Sequence, residues 1–359
     1  MRGKKRLFLL DAFALIFRGY YAFIKNPRIN SKGMNTSAIM GFMNSLLDVI
    51  KREKPDYLAV CFDKGGSQAR TEMFTEYKAN RDETPEAIVI AVPYIQKILE
   101  AMHIPVVVKE GFEADDIIGT LATMASKEEL DVYIVSGDKD FMQLVNDKIF
   151  LYAPSGRQAD IKIYDRNGVV EKWGVPPEKI IDLLGLMGDS SDNVPGVPGV
   201  GEKTAVKLIN EYGSLEASLD HADEVKNKRA REGLQNAKNE ALLSKELVTI
   251  DTEMDLDIDF STLKTNDINK ESLVDIFQEL EFETLQKQIL GAEGTVQKNK
   301  DVPKKEYKTL FKEDEIKSFF SSIKENQWLS FDIETTSVQP MNCLLYTSDA
   351  ADEEDSVDL

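Results

Sequence analysis

At 359 residues with 42% apolar side chains, the chain is long enough for two domains with a real core, and no stretch approaches the ~18 apolar residues of a membrane helix. Its two cysteines, Cys61 and Cys343, lie far apart without C-x-x-C or Cys/His spacing, which excludes a disulfide framework and a zinc site and fits a reducing cytoplasm. The net charge of -19 argues against nucleic acid only in total: residues 1–35 carry eight Lys/Arg against one Asp, and many acids fall in short clusters where bound cations would cancel them.

The N-terminal MRGKKRLFLLDAF is basic and then apolar like a leader peptide, but the apolar run stops at Asp11 after four residues, which predicts a buried strand. Further runs of β-formers occupy residues 57–62, 104–108 and 132–135, each separated from the next by helix-like sequence. That alternation predicts an α/β fold with a mostly parallel sheet flanked by helices. Ile39, Phe42, Met43, Leu46 and Ile50 keep a 3.6-residue period, as do Ile88, Val92, Ile95, Leu99 and Met102, and both sets read as core faces. From about Glu178 the sequence turns helical with Gly-rich turns. Residues 292–308 read as a linker and a second domain begins near Thr309. No internal repeat is present.

Three strands run straight into an aspartate: LFLLD into Asp11, YLAVCFD into Asp63, and VYIVSGDKD into Asp138 and Asp140. One Asp after a strand is most often a turn former or helix cap, but ligands of open α/β sheets collect at these strand ends, and here several ends converge. In GFEADDIIGTLA, Glu113, Asp115 and Asp116 open a helix, with Glu113 and Asp116 on one face. Acids are ordinary in a first turn, which accounts for one or two of the three. In GLMGDSSDNVPG, Asp189 and Asp192 share a face if the segment is helical, and otherwise belong to an Asx-rich loop. Nine carboxylates crowded together cannot all stay ionised without cations, and hard oxygen ligands select Mg²⁺ or Mn²⁺ over zinc. Two or more such ions would support phosphoryl transfer without a His or Cys nucleophile.

Two elements could hold DNA. If the middle of KGGSQARTEMFTEYKANRDETPE is helical, Arg70, Phe74, Tyr77 and Arg81 form a stripe with Lys78 beside it, a pattern of cations and aromatics that suits a single strand. The plainer reading is a solvated helix with its aromatics in the core. In NVPGVPGVGEKTAVKLINEYG, Gly196, Gly199 and Gly201 allow close backbone approach. A helix starting near Glu202 would add its dipole, with Lys203 and Thr204 as donors, as in a sequence-blind phosphate clamp. The alternative is a turn between packed helices.

Over roughly residues 5–290 the motifs LLDAF, VCFDK, YKANR, FEADD, SGDKD, MGDSSDN and GVPGVGEKTA resemble the 5′ nuclease domain of bacterial DNA polymerase I. The resemblance implies a PIN-like, flap-endonuclease-like sheet over residues 1–175 with a helical arch. It also implies a helical helix-three-turn-helix subdomain over 176–291 that grips duplex DNA through a K⁺ ion. It implies one metal site around Asp11, Asp63, Glu113, Asp115 and Asp116 and another around Asp138, Asp140, Asp189 and Asp192. Tyr77, Lys78 and Arg81 match arch residues that engage the 5′ strand, and Arg70 matches another phosphate contact. Ala69 departs from the aromatic usual before that arginine. The implied activity is a metal-dependent 5′→3′ exonuclease and 5′-flap endonuclease acting on branched, nicked and RNA-primed DNA, as a monomer in the bacterial cytoplasm at the nucleoid. A structure-specific DNA-binding module without turnover and a PIN-like ribonuclease are the rival expectations.

In WLSFDIETT, Asp332 and Glu334 share a strand face and resemble the first motif of a 3′→5′ exonuclease domain, its start confined to residues 309–342. The following CLLYTSDAADEEDSVDL departs from that family, so residues 343–359 read as an acidic tail foreign to it.

Overall fold

The computed structural model describes residues 4–155, 160–264, 268–291, 310, 312–323, 334–335 and 345–346. The expected linker at 292–308, Asp332 and the end of the acidic tail lie outside the described residues. The chain divides into two compact units, Met1–Val296 and Gln297–Leu359.

In the first unit, the continuous apolar run Leu7–Leu10 is buried on both sides, as the centre of a parallel sheet requires. β1 (Arg6–Asp11) lies in the middle, with β2 (Tyr57–Cys61) and β3 (Val106–Val107) on one side. On its other side come β4 (Asp131–Val135), β5 (Ile149–Ser155) and β6 (Asp160–Tyr164). All neighbours run parallel except the β5–β6 pair. The run expected at 104–108 pairs over only two residues, because it is an edge strand and Pro105 has no N–H to give. The β5–β6 pair was not expected: Pro154 breaks one short run and charged Asp160 and Lys162 dilute the other.

Alternate residues of β1 enter separate cores. Phe8 and Leu10 pack with α1 (Ala12–Ala22), α2 (Ser37–Glu53) and later α4 (Glu86–Ala101), whereas α3 (Gln68–Met73) is a short helix after β2. Leu7 and Leu9 face α5 (Ala114–Lys127) and the helices that follow. These are α6 (Arg166–Trp173), α7 (Ile180–Met187), α8 (Glu202–Tyr212), α9 (Leu215–Asp220), α10 (Lys228–Asn236) and α11 (Lys238–Val248). Helices α1 and α2 cross at Gly19 and Gly41, where a Cβ on Gly41 would fall 2.2 Å from Gly19 Cα, so neither position admits a side chain.

The boundary expected at 175/176 marks a change of element type, while the core runs on across it: Leu183, Leu208 and Leu247 share one cluster with Leu121 and Ile134. The helical segment expected to reach 291 also ends sooner as a separate layer. Helices α12 (Lys270–Glu279) and α13 (Glu283–Leu290) return to the opposite face, where Leu273, Phe277 and Leu285 join the α1/α2/α4 core and the Tyr94 hydroxyl donates to Glu279 at 2.7 Å. Sequence periodicity marks these helices as amphipathic but not which face of the sheet they cover.

The second unit contributes α14 (Glu313–Ser322) and an antiparallel pair, β7 (Glu334–Thr335) with β8 (Leu345–Tyr346). Among the described residues, no helix is long and apolar enough to cross a membrane.

Candidate active site

The strand order reverses between β1 and β4, so the crevice beyond their carboxyl ends is the ligand position of a doubly wound sheet. Asp11 ends β1 and caps α1 by accepting the Ala14 N–H at 3.1 Å, while its other oxygen accepts the Ser136 hydroxyl at 2.8 Å across the crevice. Asp63 follows β2 and accepts the Ala114 N–H at 2.9 Å, capping the α5 dipole. Glu113 is the N-cap position of α5, and Asp115 and Asp116 occupy its first turn. Asp138 follows β4 and accepts the Asp140 N–H at 2.9 Å. The turn and capping reading is therefore correct for one oxygen each of Asp11, Asp63 and Asp138, and the second oxygen of Asp11 is bonded to Ser136.

Burial pushes the Asp11 carboxyl up to about 7, with the charges of Asp63 and Asp138 adding to it against relief from Ala14 and Ser136. Asp115 is raised well above the carboxylate range, first by burial and then by Asp11 and Asp138. Burial and Asp138 likewise push Asp140 up to about 7, and its Oδ1 is buried without a hydrogen bond. Asp63 is raised by burial, its Ala114 bond opposing.

The other acids carry cations. Lys78 Nζ lies 2.5 Å from Glu113 Oε1 and 3.5 Å from Asp192 Oδ2, and Arg81 pairs with Asp192 Oδ1 at 2.5 Å. Lys139 pairs with Asp189 and approaches Asp140 Oδ1 to 3.4 Å. Tyr77, held neutral chiefly by burial and then by Glu113, donates its hydroxyl to Glu113 Oε2 at 3.1 Å. A polar cleft lined by Glu113, Asp115, Asp140, Asp189 and Asp192, with Arg70 and Tyr77, is the result. Among the described residues, no three acids stand close enough to enclose one ion in this arrangement. An all-oxygen donor set, mutual repulsion among its carboxyls and an Asp140 Oδ1 that has a lysine near it but no hydrogen bond nevertheless fit a hard divalent cation.

Eight of the nine expected acids face one another through this cleft or through their charges, and Asp116 does not. Both its oxygens accept from Arg70, at 2.7 Å each, and Oδ1 also accepts the Asp251 N–H at 2.9 Å. The expected stripe is also broken. Helix α3 stops at Met73, and residues 74–80 form turns in which Lys78 adopts φ +58 and gives its N–H to Asp192 O at 2.9 Å. Phe74 packs against the core as the plainer reading expected, and Arg70 is buried instead of facing solvent. The Asp189/Asp192 segment is a tight loop closed by Asp189–Val194 backbone bonds of 3.0 and 2.7 Å, not a helix.

In the Gly-rich turn, Gly196 at φ +62 packs on Gly188 and gives its N–H to Ser244, which is the packing role. Gly199 at φ +84 lies against Arg229. Gly201 has open space beside it and precedes α8, whose first turn exposes Lys203 and half-exposes Thr204. Sequence reading passed over Ser136 and Lys139, although a lysine between two strand-end acids in SGDKD is a signal of local neutralisation.

The family described as "5'-3' exonuclease, N-terminal resolvase-like domain" matches residues 6–174, and "5'-3' exonuclease, C-terminal SAM fold" matches residues 175–271. The chain belongs to the 5'-3' exonuclease family. DNA polymerase I of Bacillus subtilis is 43% identical over 286 residues, covering 79% of this chain and 32% of that protein. DNA polymerase I of Caldicellulosiruptor bescii is 38% identical over 320 residues, covering 87% and 37%. The chain thus spans about a third of the length of these curated relatives. Among solved structures, a T5 5'-exonuclease described with bound zinc aligns with a TM-score of 0.58 at 22% identity, over 79% of this chain and 99% of that one. The catalytic core of Rad2 in complex with a DNA substrate aligns at 0.55 and 19% identity, over 80% and 91%. Both share the fold of this 5'-3' exonuclease family member.

Proposed function

We propose that the chain is a divalent-metal-dependent 5′→3′ exonuclease and 5′-flap endonuclease. It hydrolyses phosphodiester bonds at single-strand/duplex junctions of branched, nicked and RNA-primed DNA, removing primers and flaps in the bacterial cytoplasm. The observation that supports this reading is the set of carboxylates around the cleft, with Tyr77, Lys78 and Arg81 bonded to Glu113 and Asp192. The T5 flap endonuclease described with DNA and metal ions and the Rad2 core with DNA supply the likeness in substrate.

Asp11, Asp63, Asp115, Asp138 and Asp140 would hold Mg²⁺ or Mn²⁺, with Glu113, Asp189 and Asp192 completing the set. Such ions supply a water of lowered pKa and charge neutralisation at the scissile phosphate. Lys78 and Arg81, which here neutralise Glu113 and Asp192, are the side chains placed to turn toward a phosphate, and neutral Tyr77 offers a donor and a stacking face. Away from the cleft, exposed Lys203 and half-exposed Thr204 with the N–H groups of the first turn of α8 suit sequence-blind contact to duplex phosphates. The turn between α7 and α8 is where a K⁺ ion would bind, and the active form is a monomer.

Incubation of the pure chain with a labelled 5′-flap duplex tests this. Cleavage at or near the junction with Mg²⁺, and none in EDTA, is expected. Tight binding without cleavage would favour a DNA-binding module, and preference for unbranched RNA a PIN-like ribonuclease.

A further inference from the structure

We propose that Arg70, Asp116 and Gln143 are positioning residues: they stitch the backbone of residues 247–251 between the two elements that carry Asp115 and Asp140, and so set the back wall of the cleft. The proposal rests on the nuclease reading of that cleft.

Arg70 has five N–H donors and all are used. Nε donates to Leu247 O at 2.9 Å, Nη2 to Thr249 O and Asp116 Oδ1 at 2.7 Å each, and Nη1 to Asp116 Oδ2 at 2.7 Å and Glu113 Oε2 at 3.1 Å. No donor remains for a phosphate. Asp116 uses both oxygens on Arg70 and takes the Asp251 N–H on Oδ1 as well, so three of its acceptor sites serve this contact. The pair therefore binds backbone groups of 247, 249 and 251, where the last turn of α11 runs into the chain that leaves it.

Residues 248 and 250 are held by a second side chain. Gln143 donates Nε2 to Val248 O at 3.0 Å and accepts the Ile250 N–H on Oε1 at 3.0 Å. Gln143 belongs to the 3-10 turn Asp140–Leu144, and Asp116 follows Asp115 on α5. Each carboxylate-bearing element thus grips the same five-residue strap, and Leu247, Val248 and Ile250 line the cleft beside the acids. Because the strap leaves the end of α11, the stitch also ties the helical layer to the sheet end where the acids converge. A shift of the strap would change the separation of Asp115 and Asp140 without removing either.

The experiment compares Arg70→Met, Asp116→Asn, Gln143→Leu and the double variant R70M/D116L with the parent. Three properties are measured: Mn²⁺ binding by calorimetry, salt dependence of 5′-flap duplex binding in Ca²⁺, and kcat and KM for cleavage in Mg²⁺. Positioning predicts a kcat loss of about 10- to 100-fold with KM little changed, since an ångström of misplacement has that effect. The number of Mn²⁺ ions and the salt slope stay as in the parent, and R70M/D116L loses no more than the worse single variant. A salt slope smaller by about one in Arg70→Met would make Arg70 a phosphate contact. Loss of a Mn²⁺ in Asp116→Asn would make Asp116 a ligand, and either result overturns the proposal.

Removing one buried charge can prevent folding, whereas the double variant removes both and Gln143→Leu removes none, so these two keep the test alive. Amide exchange gives a readout independent of turnover: Gln143→Leu should expose the Ile250 N–H and leave the Asp251 N–H protected. Unchanged protection at Ile250 overturns the stitch even if the parent cleaves nothing, an outcome that would separately sink the nuclease reading.

Discussion

Asp11, which is buried, and Asp115, which is half-buried in the cleft wall, have no ion pair among the described residues, whereas Glu113, Asp189 and Asp192 each hold a lysine or arginine. The consequence appears in their titration. Burial lifts Asp11 to about 7 and Asp115 well above its usual range, while Lys139 brings Asp189 below the ordinary carboxylate value despite its burial. Ion pairing therefore leaves the two sides with different needs. The side that carries Lys78, Arg81 and Lys139 has its positive charge built in, and the sheet side must take charge from outside. A hard cation should accordingly seek the sheet side first.

The largest expected effect that would break this comparison comes from Asp115→Asn. It should lower flap cleavage at least ~100-fold if Asp115 holds the ion, yet raise the melting temperature of the metal-free protein by ~2–4 °C by removing a carboxyl that the folded state holds unfavourably at neutral pH. Activity assays and calorimetry in EDTA check both, and a lower melting temperature would contradict the account. Next, if Lys78 and Arg81 serve the phosphate and not the ion, Lys78→Ala and Arg81→Ala should each reduce cleavage by ~10–100-fold while Mn²⁺ stoichiometry stays unchanged.

The pH dependence sharpens the same contrast. A carboxyl raised in the folded state binds its proton more tightly there than in the unfolded chain, so Asp11 and Asp140 contribute stability below about pH 4 that is lost as pH rises toward 7. The metal-free protein should lose this part of its stability between those values, and Mn²⁺ at pH 7.5 should restore it. Asp11→Asn should flatten the slope in thermal melts. Smallest is Lys203→Ala, which should weaken duplex binding at all sequences alike and reduce the salt slope by roughly one, with cleavage at saturating DNA unchanged.

The strands that end in acids were legible because a buried parallel strand is a continuous apolar run, and Asp11, Asp63 and Asp138 stand where such runs stop. The start of α8 was legible from Gly201, Glu202 and Lys203. Asp116 and Arg70 were not, because sequence shows that an acid lies in a first turn and an arginine on a helix but not that the two face each other 46 positions apart. The same limit hid Gln143 and residues 247–251, whose role lies in backbone groups that every residue carries. The β5–β6 hairpin was hidden for a different reason: two runs of seven and five residues with internal Pro and charges give too little period to read.

The acids without an ion pair are expected to bind a divalent ion before the acids paired with Lys78, Arg81 and Lys139 do. Calorimetric titration of Mn²⁺ into the metal-free protein at pH 7.5 tests it most directly, with Asp115→Asn and Asp192→Asn compared against the parent. The prediction is loss of the tightest Mn²⁺ site in Asp115→Asn and its retention in Asp192→Asn. A tightest site that survives Asp115→Asn but disappears in Asp192→Asn would contradict it.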